Sequence, residues 1–197
     1  MIVKQSLSIT KQIAAFLFSD SNIKAKGKMN NHIQGILSAL SKNKVKFVVC
    51  GGVALVLHGI ERLTMDIDIS VPMDKENLQI LISTLKEIGM TPRAPIPAES
   101  LLDPEKRKIM AEEKDALVFS FIDIKNPYKQ VDIFIGRDDL YSYLVKDATA
   151  VQIQDSIIDI ISIENLIKMK KEINPQREKD ILDINELQKL LKAKDGK

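Results

Sequence analysis

Two aspartates stand at alternate positions of one predicted strand. In the run TMDIDIS, Asp66 and Asp68 alternate with Ile67 and Ile69, and strand side chains alternate between the two faces of a sheet. The two carboxylates therefore share a face, at a spacing of about 6.5 Å. If both are ionised, their repulsion is about 2 to 3 kcal/mol at an effective dielectric constant of about 20. A bound cation would reverse the sign of this energy.

A third aspartate lies on a later predicted strand. Asp132 belongs to KQVDIFIG, in which Val131, Ile133 and Ile135 share the opposite face. If this strand neighbours the first, the three carboxylates form one cluster of hard oxygen donors. Such a cluster suits Mg²⁺, which prefers octahedral oxygen coordination and keeps places for water and phosphate oxygens.

A diglycine precedes the acidic strand. Gly51 and Gly52 follow the β-branched run KFVVC and precede VALVLHG, which predicts a strand, a glycine turn and a short helix. Glycines at such a turn let backbone N–H groups approach a phosphate closely. In the alternative interpretation, the acids only coat the solvated face of a half-exposed sheet. The repeated short acid, the absence of an interleaved base and the diglycine favour the metal and phosphate interpretation.

Predicted helices as well as strands position these residues. Apolar stripes predict helices over residues 8–22 and 30–42. Asp74 is predicted to cap a further helix that Gly89 closes. The proline-containing segment 91–116 interrupts the pattern, and we expect a mobile flap or insertion that could hold short helices.

A hairpin is predicted in the second half of the chain. ALVFSFIDIK and KQVDIFIG read as strands around Asn126-Pro127-Tyr128, and counting residues from this turn places Asp123 opposite Asp132. A one-residue bulge would remove that fourth acid from the site, so Asp123 is not assigned to it.

The remaining elements complete the predicted fold. Asp138 is expected to cap a short helix, DLYSYLV, followed by strands in TAVQIQ and IIDIIS and by two closing helices. The sum is a mixed β-sheet flanked by helices, of class α/β or α+β. We expect a single domain over residues 1–197, with a core at about 30–160 and a C-terminal helical part at about 161–192.

Composition excludes several classes of protein. Lysine and arginine exceed the acids by only 29 to 27 among 197 residues, which argues against a strongly basic nucleic-acid surface. Cys50 is the single cysteine and lies in an apolar run, so it is predicted to be buried, in a reducing compartment. No export signal or membrane span is apparent, and we expect a cytoplasmic protein without a membrane partner.

These motifs resemble a known family. GGVALVLHGIERLTMDIDI with the later VDIF is similar to the nucleotidyltransferase superfamily of the polymerase-beta type. That family combines a Gly-Gly or Gly-Ser turn, an Asp-x-Asp strand and a third acid on a neighbouring strand. The segment LIKMKKEINPQREKDILDINEL resembles the C-terminal part of its prokaryotic branch, which includes AbiE-type toxins. Together the similar parts cover about half of the chain, residues 47–71, 129–135 and 162–187.

The resemblance implies a reaction and the roles of its residues. Asp66, Asp68 and Asp132 would hold Mg²⁺ or Mn²⁺, and Asp132 would also help to deprotonate an acceptor hydroxyl. Gly51 and Gly52 would cradle the triphosphate of an NTP such as ATP or GTP. Pyrophosphate would leave.

Three further residues have two open interpretations each. In the toxin relatives, a lysine and an acid occupy the positions of Lys170 and Asp180. Lys170 would act catalytically by neutralising phosphate charge, or it is a solvated helix lysine. Asp180 would be catalytic, or it has a capping or surface role. Arg62 would contact nucleotide or acceptor, or it is a surface arginine.

The expected function is Mg²⁺-dependent transfer of a nucleoside monophosphate to a hydroxyl of RNA, tRNA or protein. The resemblance further implies a toxin of a toxin–antitoxin or phage-defence pair, with an antitoxin protein as partner. One alternative is a small-molecule nucleotidyltransferase of the aminoglycoside-modifying kind. The other is a non-catalytic module that binds a nucleotide or a partner protein through the same cleft.

Overall fold

A mixed β-sheet organises the part of the chain that the computed structural model describes. The backbone is described for residues 27–112 and 116–195, and the side chains for 32–112 and 116–193; the predicted helix over 8–22 lies outside the described residues. Within them the sheet has seven strands. They are β1 (Val48–Val49), β2 (Asp66–Ser70), β3 (Met90–Pro92), β4 (Val118–Asp123), β5 (Asn126–Phe134), β6 (Thr149–Ile153) and β7 (Ser156–Ile160).

The strand that carries two acids is the central one. The order of the sheet is β3-β4-β5-β2-β1-β7-β6, so β2 lies between β5, with which it pairs in parallel, and β1, with which it pairs antiparallel. Ile67 and Ile69 of β2 are fully buried. Parallel and antiparallel pairs in one sheet confirm the predicted mixed class.

Helices lie between and beyond the strands. They are α1 (Gly27–Lys42), α2 (Gly51–Leu57), α3 (Lys75–Glu87), α4 (Pro104–Glu112), α5 (Leu140–Leu144), α6 (Ile163–Lys171) and α7 (Glu178–Asp195), with 3₁₀ turns at Ala98–Leu102 and Val145–Asp147.

Local sequence explains how the main helices begin and pack. The stripe of α1 is buried as predicted, with Leu37 and Leu40 fully inaccessible. Asp74 caps α3, because its side chain accepts from the backbone N–H of Asn77 at 2.9 Å. Gly89 follows α3 with φ +82°, the left-handed conformation that commonly ends a helix. The predictions for these two helices are confirmed.

In its described residues, 91–112 and 116, the proline-containing segment is part of the packed fold, so the expectation of a mobile flap is wrong there. Its first residues form β3, which pairs with β4 at one edge of the sheet. Leu101 and Met110 are buried in the core, and Arg107 is buried with its guanidinium donating to the Leu101 carbonyl at 2.7 Å. Apolar residues spaced between the prolines supply enough buried area to fix the segment.

Two local predictions in the second half are corrected. Asp138 does not cap α5; Asp139 occupies the cap position, and Asp138 instead accepts from Arg107 at 2.9 Å. The predicted hairpin turn is also misplaced: the chain turns at residues 124–125, and Asn126-Pro127-Tyr128 already belong to β5. Asp132 therefore pairs with Ser120, and Asp123 pairs with Asn126, away from the acidic cluster.

Candidate active site

The pairing of β2 with β5 brings the three acids together. In the parallel pairing of β2 with β5, Asp68 lies opposite Asp132. One carboxylate oxygen of each of Asp66, Asp68 and Asp132 lies within 4.8 Å of the others. The condition on which the metal prediction depended, adjacency of the two strands, is therefore met.

The three carboxylates differ in their surroundings. Asp66 is exposed and accepts from the Thr64 hydroxyl at 3.1 Å, Asp68 is half-buried, and Asp132 is buried. Burial, followed by the negative charges of Asp66 and Asp132, raises the pKa of Asp68 to about 6. The cluster therefore holds ionised acids at neutral pH only against their mutual repulsion, which a cation would relieve.

The glycine turn fits closely around the acidic strand. A Cβ at Gly51 would lie 1.7 Å from Asp68 Oδ2, and one at Gly52 would lie 2.4 Å from Thr64 Oγ1. The backbone N–H of Gly52 donates to the Asp68 carboxylate, which opposes the rise in its pKa. The close approach of Asp68 and Thr64 thus requires glycine at both positions, whether or not a ligand is bound.

A glutamine that the sequence interpretation missed holds the third acid. Gln130 Nε2 donates to both carboxylate oxygens of Asp132, at 2.9 Å each. Gln130 lies opposite Asp66 in the β2–β5 register. The available signal was its position two residues before Asp132, which puts both side chains on the same face of β5.

An ionic cluster lies beside the acids, and its centre, Lys170 with Asp180 and Asp183, is buried. It comprises Arg62, Lys170, Arg177, Asp180 and Asp183. Lys170 Nζ donates to Asp180 at 3.0 Å and to Asp183 at 2.7 Å. Arg62 pairs with the same Asp183, and Arg177 donates to Asp180 at 2.6 Å.

This cluster corrects two interpretations drawn from the sequence. Lys170 is buried and ion-paired, so a solvated helix lysine is wrong. Asp180 is fully buried, so a surface role is wrong; although burial favours its neutral form, hydrogen bonds from Arg177 and Lys170 lower the pKa of Asp180. The positive charge of Lys170 also lowers the pKa of Asp68, so the cluster is electrostatically coupled to the acids.

A cleft of about 320 Å³ opens beside Asp66. Its walls combine cationic, polar and apolar side chains: Arg62, Lys179, Thr64, Asp66, Gln130, Leu63, Met65, Pro127 and Tyr128. Leu63 and Tyr128 are exposed to 72% and 61%, which is high for large apolar side chains next to a functional cluster. Of the three acids, Asp66 lines the cleft, together with Gln130, which binds Asp132.

The described part of the chain contains no helix with the length and apolar character needed to cross a membrane.

Comparison with known proteins agrees with this architecture. Residues 35–194 match the family described as nucleotidyl transferase AbiEii toxin of a type IV toxin–antitoxin system. Among solved structures, the lincomycin-bound crystal structure of the lincosamide antibiotic adenylyltransferase LnuA matches with a TM-score of 0.54 and 20% identity. That match covers 81% of this chain and 96% of LnuA and shows a shared fold. No curated protein sequence matches. The resemblance to nucleotidyltransferases is thereby confirmed, and the chain belongs to the AbiEii nucleotidyltransferase toxin family.

Proposed function

We propose that this nucleotidyltransferase depends on Mg²⁺ and moves a nucleoside monophosphate from an NTP to an acceptor hydroxyl. The observation that carries the proposal is the convergence of Asp66, Asp68 and Asp132, with oxygens within 4.8 Å of one another. The polymerase-beta type of fold provides the sheet on which they converge, and family membership supports the class of reaction.

The donor set fits a hard divalent cation. All three groups are carboxylates, the ligands that Mg²⁺ and Mn²⁺ prefer. Burial, and after it the negative charges of Asp66 and Asp132, raise the pKa of Asp68, and a bound cation would offset both effects. Asp66, Asp68 and Asp132 would hold the metal, which would polarise the phosphate oxygens and stabilise the charge of the departing pyrophosphate.

The protein side chains divide the remaining work. The acceptor oxygen forms a bond to the α-phosphorus while the bond from this phosphorus to the bridging oxygen of the β-phosphate breaks, and pyrophosphate departs. The proton of the acceptor hydroxyl passes toward Asp132. This assignment uses the acid on β5, whose two carboxylate oxygens both accept from Gln130 Nε2.

The triphosphate is assigned to the glycine turn and the neighbouring cations. Gly51 is partly accessible, whereas Gly52 is buried and its N–H already binds Asp68. We therefore assign direct phosphate contact to Gly51 and a supporting role to Gly52. Arg62 reaches the cleft and serves nucleotide or acceptor. Lys170 acts from within the ionic cluster, where its charge favours the ionised form of Asp68.

The cleft beside Asp66 is the proposed entry of the acceptor. Leu63 and Tyr128 offer apolar contact, and Arg62 and Lys179 offer positive charge. RNA, including tRNA, suits both features, because bases stack on aromatic rings and phosphates bind cations. A small molecule of the antibiotic class remains the second candidate, since LnuA, which shares the fold, is an adenylyltransferase of a lincosamide.

The experiment is a transfer assay with the full chain. Each of the four α-³²P-labelled NTPs is incubated with total tRNA, with cell protein, or with lincosamide and aminoglycoside antibiotics, in Mg²⁺ or EDTA. We expect label in one acceptor class only, with Mg²⁺ only, and none with Asp66→Asn. Binding of NTP by calorimetry without transfer to any acceptor would contradict the proposal and favour the binding module.

The toxin role has its own test. Induced expression of the wild-type chain in a bacterial host is expected to arrest growth, and Asp68→Asn is expected to relieve the arrest at equal protein level. An antitoxin protein would then be recognised as a co-expressed partner that restores growth. Arrest that persists in Asp68→Asn would contradict toxicity through nucleotidyl transfer.

A further inference from the structure

Gln130 makes an unusual contact with the third acid. Its single amide nitrogen lies 2.9 Å from each carboxylate oxygen of Asp132. The two oxygens of one carboxylate subtend a much smaller angle at this nitrogen than the angle between its two N–H bonds, so they share one N–H in a three-centre hydrogen bond. The terminal torsion of an aspartate is broad, and this shared hydrogen bond favours the orientations that turn both carboxylate oxygens toward Gln130.

The neutral charge of the donor matters beside a metal site. A lysine or arginine at position 130 would also bind Asp132, but it would place a cation among groups that must attract one. An amide stabilises the ionised carboxylate without adding charge. Gln130 faces Asp66 across the β2–β5 pair, so its neutral side chain stands between two of the acids.

Arg93 determines which end of the amide faces Asp132. Its Nη1 donates to Gln130 Oε1 at 3.3 Å. A guanidinium has donors only, so it selects the orientation that turns Nε2 toward the carboxylate. The Arg93 backbone is itself fixed, because its N–H donates to the Ser120 carbonyl at 2.9 Å, and Ser120 pairs with Asp132 in the β4–β5 register.

We propose that Gln130 is a positioning residue for Asp132 and that Arg93, at the end of β3, orients it. The inference rests on the proposed function, since it assigns to Asp132 a carboxylate orientation that must suit both a metal and an acceptor hydroxyl. It also gives the proline-containing segment a part in the active site: the edge strand β3 presents Arg93 to the chain of hydrogen bonds that ends at the third acid.

The test is Mn²⁺ binding to the full chain by isothermal titration calorimetry. Gln130→Met keeps the length of the side chain and removes the donor; we expect Mn²⁺ affinity to fall by about ten- to a hundredfold, the range for loss of a group that orients a metal ligand. Gln152→Met is the matched control, because Gln152 is exposed on β6 at the opposite edge of the sheet; it should bind as the wild type does.

A double variant tests whether Arg93 acts through Gln130. Arg93→Ala should weaken Mn²⁺ binding less than Gln130→Met does. If Arg93 acts through Gln130, the double variant should bind no more weakly than Gln130→Met alone. Additive losses would overturn the role of Arg93. The control for Arg93 is Arg137→Ala, because Arg137 is exposed and pairs with its near neighbour Asp139.

The outcomes distinguish this inference from the proposed function. Wild-type binding that Asp66→Asn abolishes, together with unchanged affinity in Gln130→Met, would overturn the inference and leave the function standing. Absence of Mn²⁺ binding by the wild type, with and without NTP, would overturn both. Circular dichroism and urea unfolding of each variant ensure that affinities are compared between folded proteins.

Discussion

The carboxylate of Asp68 occupies the space that a side chain at Gly51 would need. A Cβ there would lie 1.7 Å from Asp68 Oδ2, and Gly51 has φ +58°. We expect Gly51→Ala to push the carboxylate out of the acidic cluster and to lower the transfer rate by about a hundredfold or more, since displacements of about 1 Å at a reacting centre have effects of this size. The rate of label transfer from NTP to the acceptor in Mg²⁺, compared between Gly51→Ala and the wild type, measures this loss.

Gly89→Ala is the control for backbone strain. Gly89 has φ +82°, but nothing lies within 4 Å of its hypothetical Cβ. Backbone strain should lower the free energy of unfolding by about 1 to 2 kcal/mol in each variant. Gly51→Ala should lose more, because its Cβ also collides with Asp68, and only Gly51→Ala should lose activity. Equal activity in the two variants would show that the contact with Asp68 is not needed for transfer.

Asp68 should make the stability of the metal-free protein depend on pH. Its pKa is about 6 in the folded protein and about 3.9 when unfolded. The stability from this group is fully present below the unfolded pKa and is lost as the pH rises through about 6. At pH 7.5 the loss is about 3 kcal/mol. In EDTA, Asp68→Asn should therefore be more stable than the wild type at pH 7.5, with little difference at pH 4.

Urea unfolding at several pH values checks this prediction. Asp155→Asn is the control, because Asp155 is exposed in the turn between β6 and β7. Addition of Mn²⁺ at pH 7.5 should stabilise the wild type and not Asp68→Asn. The stability advantage of Asp68→Asn seen in EDTA should therefore shrink or disappear. A difference in the free energy of unfolding that does not change with pH in EDTA would contradict the raised pKa of Asp68.

The acidic cluster could be predicted from the sequence because it depends on strand periodicity. Alternation places Asp66 and Asp68 on one face whatever the rest of the fold does. Their meeting with Asp132 required the neighbour of β2 to be known, and only the family resemblance supplied it. The position of Asp123 was predicted wrongly because the turn was placed at Asn126-Pro127-Tyr128, whereas the chain turns at residues 124–125 and Asp132 pairs with Ser120.

The buried charges could not be predicted by the same means. Lys170 and Asp180 stand in charged, helical sequence that usually faces water. They are buried because α6 brings Lys170 against Asp180 and Asp183 of α7, which is a property of tertiary packing. Arg62 and Arg177 join this cluster from outside the two helices. The prediction of a mobile flap in the proline-containing segment was wrong for the opposite reason. Its prolines suggested irregular structure, but Leu101 and Met110 anchor it in the core.

Removal of Lys170 should destabilise the fold. Lys170→Met would leave Asp180 and Asp183 buried, with Arg177 and Arg62 as their remaining partners. We expect a loss of about 3 kcal/mol in the free energy of unfolding, the lower end for breaking a buried ion pair. Lys171→Met is the control: Lys171 is exposed one position later and should change stability by less than about 0.5 kcal/mol. Equal urea midpoints for both variants would show that the cluster contributes nothing to stability.

Tyr128 should affect the acceptor and leave the nucleotide unaffected. Its ring is 61% exposed on the wall of the cleft, so Tyr128→Ala should not alter the free energy of unfolding measurably. We expect the KM for the acceptor to rise about tenfold, the equivalent of about 1.4 kcal/mol of contact, with kcat and the KM for NTP unchanged. Ile157→Ala removes a side chain that is 71% exposed on β7 and should leave all three constants unchanged. A rise in the KM for NTP instead would place the nucleotide in this cleft and the acceptor on the other side of the acids.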